Sequence, residues 1–195
     1  VESFRETVRK AIQLKPDRIA LYSFAHVPWL KKHQGKLDQE HLPTTDQKLD
    51  IFLSARALFL ENGYQAIAMD HFALKDDELA KAFHNGTLYR NFMGYTVKPA
   101  DEYIGIGTSA IGFLEKVYFQ NYKTISEYYR FLSQGSLPIE RGKVLSSDDE
   151  IRQWVINALM CRFQLDKALF AQKFHRDFDE YFLFEQQHIA HCQEE

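Results

Sequence analysis

Cysteine is almost missing from this chain, with Cys161 and Cys192 the two among 195 residues. Two thiols build no disulfide framework, and such scarcity fits a reducing compartment. No Cys-x-x-Cys pair occurs, so a thiol redox motif or a paired zinc knuckle is excluded. Long apolar runs are missing too. No stretch reaches 18 apolar residues, which leaves no candidate for a membrane-spanning helix. The first residues lack the pattern of a secretory signal, and a cytoplasmic setting is expected. A strong charge of one sign is also lacking. The net charge is -3, so no basic footprint argues for nucleic acid. There is no Gly-x-Ser-x-Gly nucleophile elbow, no internal repeat and no low-complexity segment.

What is present is a globular composition, with 45% hydrophobic residues and 14% aromatic ones. Ser3 and Glu6 sit as a capping box, and Phe4, Val8, Ala11 and Ile12 follow at helical spacing. A domain rarely opens on a helix whose apolar face needs an earlier element, so the chain is expected to be a piece of a longer protein. Pro16 stops that helix near Leu14. Arg18 to Phe24 reads as a strand buried on both faces. A loop runs from Ala25 to Pro43. Thr44 and Gln47 cap the next helix, Gly63 closes it, and Tyr64 to Met69 reads as a second strand. Helix, strand, helix, strand is the grammar of an α/β protein with parallel strands.

Further on, Asp76 to Asn85 is helical. Glu102 to Leu114 reads as a strand broken by Gly105, Gly107 and Gly112, and Val117 to Gln120 as another. Ile125 to Leu132 is helical again. Ser147 and Glu150 suggest a third capping box, opening a helix with Ile151, Trp154, Val155, Ala158, Leu159 and Phe163 on one face. From there on the chain reads as helices only. The expected partition is 1–145 and a smaller helical domain over 146–195.

Polar residues gather where the two early strands end, at Ala25-His26 and at Asp70-His71. In barrel-type α/β proteins such ends form the active face. Two other stretches keep no helical or strand period, Arg90-Asn91-Phe92-Met93-Gly94-Tyr95-Thr96 and GIGTSAIG over 105–112. The second contains no lysine and does not open a helix, so it is a poor phosphate cradle. Glycines within a strand mark bulges or a close approach of backbone to a ligand. His188, His191 and Cys192 share one helical face, but no fourth zinc ligand accompanies them, and no metal site is expected.

Several segments together resemble the oxygen-independent coproporphyrinogen III dehydrogenase (oxidase) family of radical S-adenosylmethionine (SAM) enzymes. They are PDRIALYSFAHVPW (16–29), QKLDI (47–51), GYQAIAMDHFALKDDELA (63–80), LYRNFMGYT (88–96) and IGIGTSAI (104–111). Heme-chaperone-like relatives share the Gly-x-Gly-x-Ser-Ala element but differ in MDHFA and RNFxGYT.

The resemblance implies the later part of an incomplete radical-SAM (β/α) barrel, followed by a small, mainly helical C-terminal domain. It implies a parent oxidoreductase that converts coproporphyrinogen III to protoporphyrinogen IX in heme biosynthesis, with a [4Fe-4S] cluster and two SAM molecules. On it Ala25 and Ile111 contact SAM, and Phe92 and Met93 line the same pocket, Met93 replacing the family's usual glutamine. His26, Asp70, His71 and Arg90 are the substrate-pocket candidates. The family's Cys-x-x-x-Cys-x-x-Cys is not in this chain. The catalytic residues are therefore expected in a missing N-terminal half of the barrel, and the piece alone is expected to be inactive. Its uncovered surface would favour self-association. A heme-binding relative, with His26 or His71 as axial ligand, is the alternative.

Overall fold

The computed structural model describes residues 2–192, without the side chains of 39 and 190–192. It divides the chain into two compact units, Val1–Lys98 and Pro99–Glu195. Among the described residues no helix is long and apolar enough to cross a membrane.

The first unit begins with α1 (Glu2–Gln13), which stops just before Lys15 and Pro16. Ser3 lies inside this helix rather than capping it, and its carbonyl accepts a bond from the Thr7 hydroxyl. After β1 (Arg18–Ala20) comes a long connection with two short 3-10 turns, Lys32–Lys36 and Gln39–His41. Then follow α2 (Thr45–Glu61), β2 (Tyr64–Ala68), β3 (His71–Leu74), α3 (Glu78–His84), β4 (Tyr89–Asn91) and β5 (Gly94–Thr96). The Thr44/Gln47 capping box forms as its sequence suggests, with both reciprocal bonds in place. Val8 of α1, Ala55 and Phe59 of α2, Tyr64 of β2 and Phe72 of β3 make a single buried cluster. Tyr64 is buried as far as its hydroxyl, which donates to the Pro16 carbonyl at 2.7 Å; burial pushes that phenol pKa up.

Helices and strands mix here as an α/β chain requires, yet the two early strands are not direct neighbours. The order is β1-β3-β2, and both outer strands run antiparallel to β3. Residues 71–74, which follow the end of the second strand, fold back as β3. This also explains why β1 is short. Its partner begins at His71, directly after the turn at Met69-Asp70. The Leu21 amide still finds the Asp70 carbonyl at 2.7 Å, and beyond it the ladder has nothing left to pair with. Tyr22 and Phe24, expected in a buried strand, are therefore exposed, and Trp29 in the following connection is 75% exposed.

Arg90–Thr96 is a hairpin rather than an irregular loop. Tyr89 pairs with Thr96, Arg90 with Tyr95 and Asn91 with Gly94. Phe92 and Met93 form the two-residue turn. Gly94 sits at φ 120°, a conformation that side-chain-bearing residues rarely adopt.

The second unit contains β6 (Ile111–Leu114), β7 (Val117–Asn121), α4 (Ile125–Ser133), β8 (Ile139–Val144), α5 (Ser147–Arg162), α6 (Lys167–Phe174), α7 (Phe178–Tyr181) and α8 (Leu183–Cys192). The sheet order is β6-β7-β8, all antiparallel. The strand expected over 102–114 is real only from Ile111. Before it, Tyr103 makes a lone bridge to Phe113, and 104–110 form a loop. β8 carries no sequence signal, because all six of its residues are exposed and four are charged or glycine. Ser146 and Asp149, not Ser147 and Glu150, make the capping box of α5. Hydrogen bonds from the Ser146 backbone and hydroxyl, with Lys143 nearby, hold the Asp149 carboxyl at about 2. Ile151 and Val155 pack with Phe170 and Phe182, and Trp154 lies half-buried against Phe170 and Phe174 at ring distances of 6.0 and 5.6 Å. Leu159 and Phe163, expected on the same face, stay largely in solvent.

Candidate functional site

The β2–β3 turn and the β4–β5 hairpin bring together residues that are about twenty positions apart. Asp70 closes the turn, and its Oδ1 lies 2.7 Å from His71 Nδ1. The His71 ring meets the Tyr95 ring edge-on, with centroids 4.9 Å apart at 84°. The Arg90 guanidinium carbon lies 5.6 Å from the centre of the same Tyr95 ring. Tyr95 is buried, while Arg90, one residue from the β4 end, is exposed. Gly94 completes the set: a Cβ there would stand 3.3 Å from His71 Nε2. A backbone that can take positive φ and carries no side chain is what lets the imidazole sit against the hairpin.

This arrangement has definite chemical abilities. A carboxylate fixes one imidazole nitrogen, so the tautomer and ring plane of His71 are set by Asp70. The Arg90 guanidinium offers planar donors beside an aromatic face, a geometry suited to a carboxylate. Asp70, His71 and Arg90 are thus linked through the Tyr95 ring. Tyr95, the ring that joins them, carries no sequence signal of that role, although it lies in the same GYT run.

His26 belongs to different surroundings. Its Nε2 lies 3.2 Å from the Gln34 carbonyl, which can only accept, so that nitrogen carries the proton. The Gln34 side chain in turn accepts the Val27 amide at 2.6 Å. His26 faces an apolar cavity of about 420 Å³ between the connection and the helices, lined by Phe4, Leu21, Ile51 and Phe52 among others. Heme ligation by His26 through Nε2 would require that nitrogen to give up the Gln34 carbonyl. Ala25, beside it, is exposed.

Phe92 and Met93 stand at the hairpin tip, 61% and 95% exposed, with the Met93 amide donating to Asn91 Oδ1 at 2.8 Å. In the second unit, Ile111 is half-buried at the start of β6, paired with Gln120. The glycines before and after it do mark close approaches, but to the chain itself. A Cβ at Gly105 would lie 2.6 Å from the Ile111 carbonyl oxygen, and one at Gly112 would lie 2.2 Å from the Phe119 ring. The sequence also gives no hint of Asn121, the buried polar residue at the end of β7.

Of the C-terminal histidine-cysteine set, His188 has its Nδ1 3.0 Å from the Phe184 carbonyl. The side chains of His191 and Cys192 lie outside the described residues. Among the described residues no three potential ligands gather around one point.

The HemN C-terminal domain family matches residues 145–195. The oxygen-independent coproporphyrinogen III oxidase of Synechocystis sp. is 48% identical over 177 residues, covering 91% of this chain and 38% of that protein. The Escherichia coli protein of the same name is 40% identical over 181 residues, covering 93% of this chain and 40% of that one. The Thermostichus vulcanus protein is 41% identical, covering 95% and 57%. A solved structure titled "Coproporphyrinogen III oxidase (HemN) from Escherichia coli is a Radical SAM enzyme" matches with a TM-score of 0.93 at 38% identity, covering 99% of this chain and 44% of that one. The chain thus spans about two fifths of the length of most of these relatives. Along nearly all of its length, in sequence and in fold, the chain is similar to the oxygen-independent coproporphyrinogen III oxidases.

Proposed function

We propose that this chain is part of a radical SAM oxidoreductase that oxidatively decarboxylates coproporphyrinogen III to protoporphyrinogen IX in cytoplasmic heme biosynthesis. The observation that carries the reading is the Asp70–His71–Tyr95–Arg90 cluster, beside a hairpin tip of exposed Phe92 and Met93. On this reading Arg90 binds a propionate carboxylate of the porphyrinogen. Asp70 orients His71 so that its imidazole faces the same pocket in one tautomer. Residues 146–195 serve as the helical C-terminal domain.

The cofactors fit this chain unequally. A thiolate-bound cluster needs at least three suitably spaced cysteines. Cys161 is buried in α5, and Cys192 is the one other cysteine, 31 positions on. These residues do not fit a [4Fe-4S] site, and on the proposed reading the cluster ligands lie outside residues 1–195. SAM fits better. Ala25 is exposed, Phe92 and Met93 are exposed apolar side chains, and Ile111 is half-buried, so each has surface to offer a flat adenine or a methionine stem. When bound and given an electron by such a cluster, SAM would supply the abstraction of a hydrogen atom from the propionate. Two SAM molecules are proposed, and Met93 offers either one an apolar contact. The chain alone is proposed to be inactive and to self-associate through its exposed apolar surface.

The test uses the full-length protein that carries this chain, reconstituted with iron and sulfide under anaerobic conditions. With coproporphyrinogen III and SAM it is expected to release 5′-deoxyadenosine and protoporphyrinogen IX. Arg90→Ala is expected to raise KM for the porphyrinogen about tenfold, the worth of one charge-assisted hydrogen bond. A reconstituted wild-type protein that releases no deoxyadenosine overturns the proposal.

A further inference from the structure

The loop over 104–110 is held from behind by one buried side chain. Asn121, 5% exposed, spends its amide on two carbonyls of that loop. Its Nδ2 donates to Gly105 O at 3.0 Å and to Gly107 O at 2.9 Å. Its backbone amide donates to Ala110 O at 2.9 Å. From α4, the Tyr128 hydroxyl accepts the Gly107 amide at 3.1 Å. The Ser109 amide donates to the Tyr122 carbonyl at 2.9 Å, and the Gln120 side chain donates to the Ser109 carbonyl at 3.0 Å.

The loop backbone needs such restraint. Ser109 sits at φ 59°, a conformation that a residue with a side chain rarely adopts, and Gly107, at φ 109°, has the freedom of any glycine to leave its position. Around Gly107 there is no atom within 4 Å of where a Cβ would be, so packing does not fix it. Ile104 and Ile106 are 68% and 89% exposed, so burial does not fix their residues either. Hydrogen bonds define the path that delivers the chain to Ile111, Asn121 holding two loop carbonyls and Tyr128 the Gly107 amide, beside the bonds of Ser109 to Tyr122 and Gln120.

We propose that Asn121, assisted by Tyr128, is the positioning residue that shapes the 104–110 loop and sets Ile111 for SAM binding. The inference rests on the proposed reading that Ile111 contacts SAM. Asn121 touches no cofactor itself; it acts through the loop. An aliphatic residue at 121 would keep β7 and its ladder, but would leave the Gly105 and Gly107 carbonyls to other partners.

The experiment compares Asn121→Ala, Tyr128→Phe and a control, Val155→Ala, in the full-length reconstituted protein. Val155 is buried in α5, away from the loop in sequence and in bonding. Two quantities are read: the Kd for SAM by titration calorimetry, and amide hydrogen exchange over 104–111. Asn121→Ala is expected to raise the Kd about tenfold, as loss of a buried hydrogen-bond donor does. It is also expected to speed exchange at Gly107 and Ser109 while the β7–β8 amides stay protected. Tyr128→Phe should do the same to a smaller degree. Val155→Ala should lower the unfolding midpoint and leave the Kd unchanged. A Kd for Asn121→Ala within twofold of wild type, or an equal rise in the control, overturns the positioning role. A wild-type protein that binds no SAM overturns the family reading and this role with it; the exchange profile then still reports whether the clamp orders the loop.

Discussion

Each of the two units contains a segment that keeps no sequence period, and they hold these segments by different means. Residues 89–96 are ordered by their own backbone, through three residue pairs across a two-residue turn. Residues 104–110 make no ladder of their own and are held by hydrogen bonds to residues further along the chain, among them the side chains of Asn121 and Tyr128, 14 or more positions ahead. The capping boxes show a similar contrast. α2 is closed by Thr44 and Gln47, neither of which titrates in water, whereas α5 is closed by Ser146 and the carboxylate Asp149. An aperiodic sequence can therefore mean a hairpin too short to show alternation, or a loop whose order comes from elsewhere. An identical capping geometry can be indifferent to acid or dependent on it.

The sharpest way to break the comparison is at the loop. Gly105→Ala puts a Cβ 2.6 Å from the Ile111 carbonyl oxygen, and backbone cannot swing aside as a side chain can. Chemical denaturation is expected to show a loss of roughly 3 kcal/mol, at the upper end of overpacking effects. Gly94→Ala comes next. It meets His71 Nε2 at 3.3 Å and must hold φ 120°, so a loss of about 2 kcal/mol is expected, with a change in the His71 ring resonances by NMR. If Gly94→Ala proved the costlier of the two, the hairpin and not the loop would be the more constrained segment.

The caps give the third contrast. Ser146→Ala should cost about 1 kcal/mol, the usual worth of a serine N-cap. Acid should act on the same helix. The folded Asp149 carboxyl lies below its ordinary value of 3.8, so its contribution is complete above that value. It should be lost as the pH falls from there toward about 2. Amide exchange at the start of α5 should rise over that window, with no matching cap-derived change at the start of α2. Equal fraying of both helices would refute the distinction. The smallest effect is expected at the hairpin tip. Met93 is 95% exposed, so Met93→Ser should alter stability by less than about 0.5 kcal/mol, measured by the same denaturation.

Helix ends were readable because their chemistry is local. Thr44 with Gln47, and Gly63 after α2, need no distant partner to declare themselves. The α5 cap slipped by one residue because Ser146-Ser147-Asp148-Asp149-Glu150 contains two overlapping capping registers, and only the bonds choose between them. β3 and β8 were not readable. The first follows a tight turn at Met69-Asp70, and the second is an exposed edge whose composition resembles a loop. Asp70, His71 and Arg90 could be picked out as unusual polar residues. That Tyr95 joins them depends on two hairpins meeting, which no local pattern encodes. Asn121 was invisible for the same reason, since a lone asparagine after an apolar strand looks like any strand end.

The two tryptophans fall one to each unit, and their surroundings are opposite. Trp29 projects into solvent, while Trp154 rests among phenylalanine rings. Their emission should therefore separate, Trp29 red-shifted and open to quenching by iodide, Trp154 bluer and shielded. The protein thus carries a built-in optical label for each half. A denaturant titration followed at two wavelengths would reveal whether residues 1–98 and 99–195 unfold together or in turn.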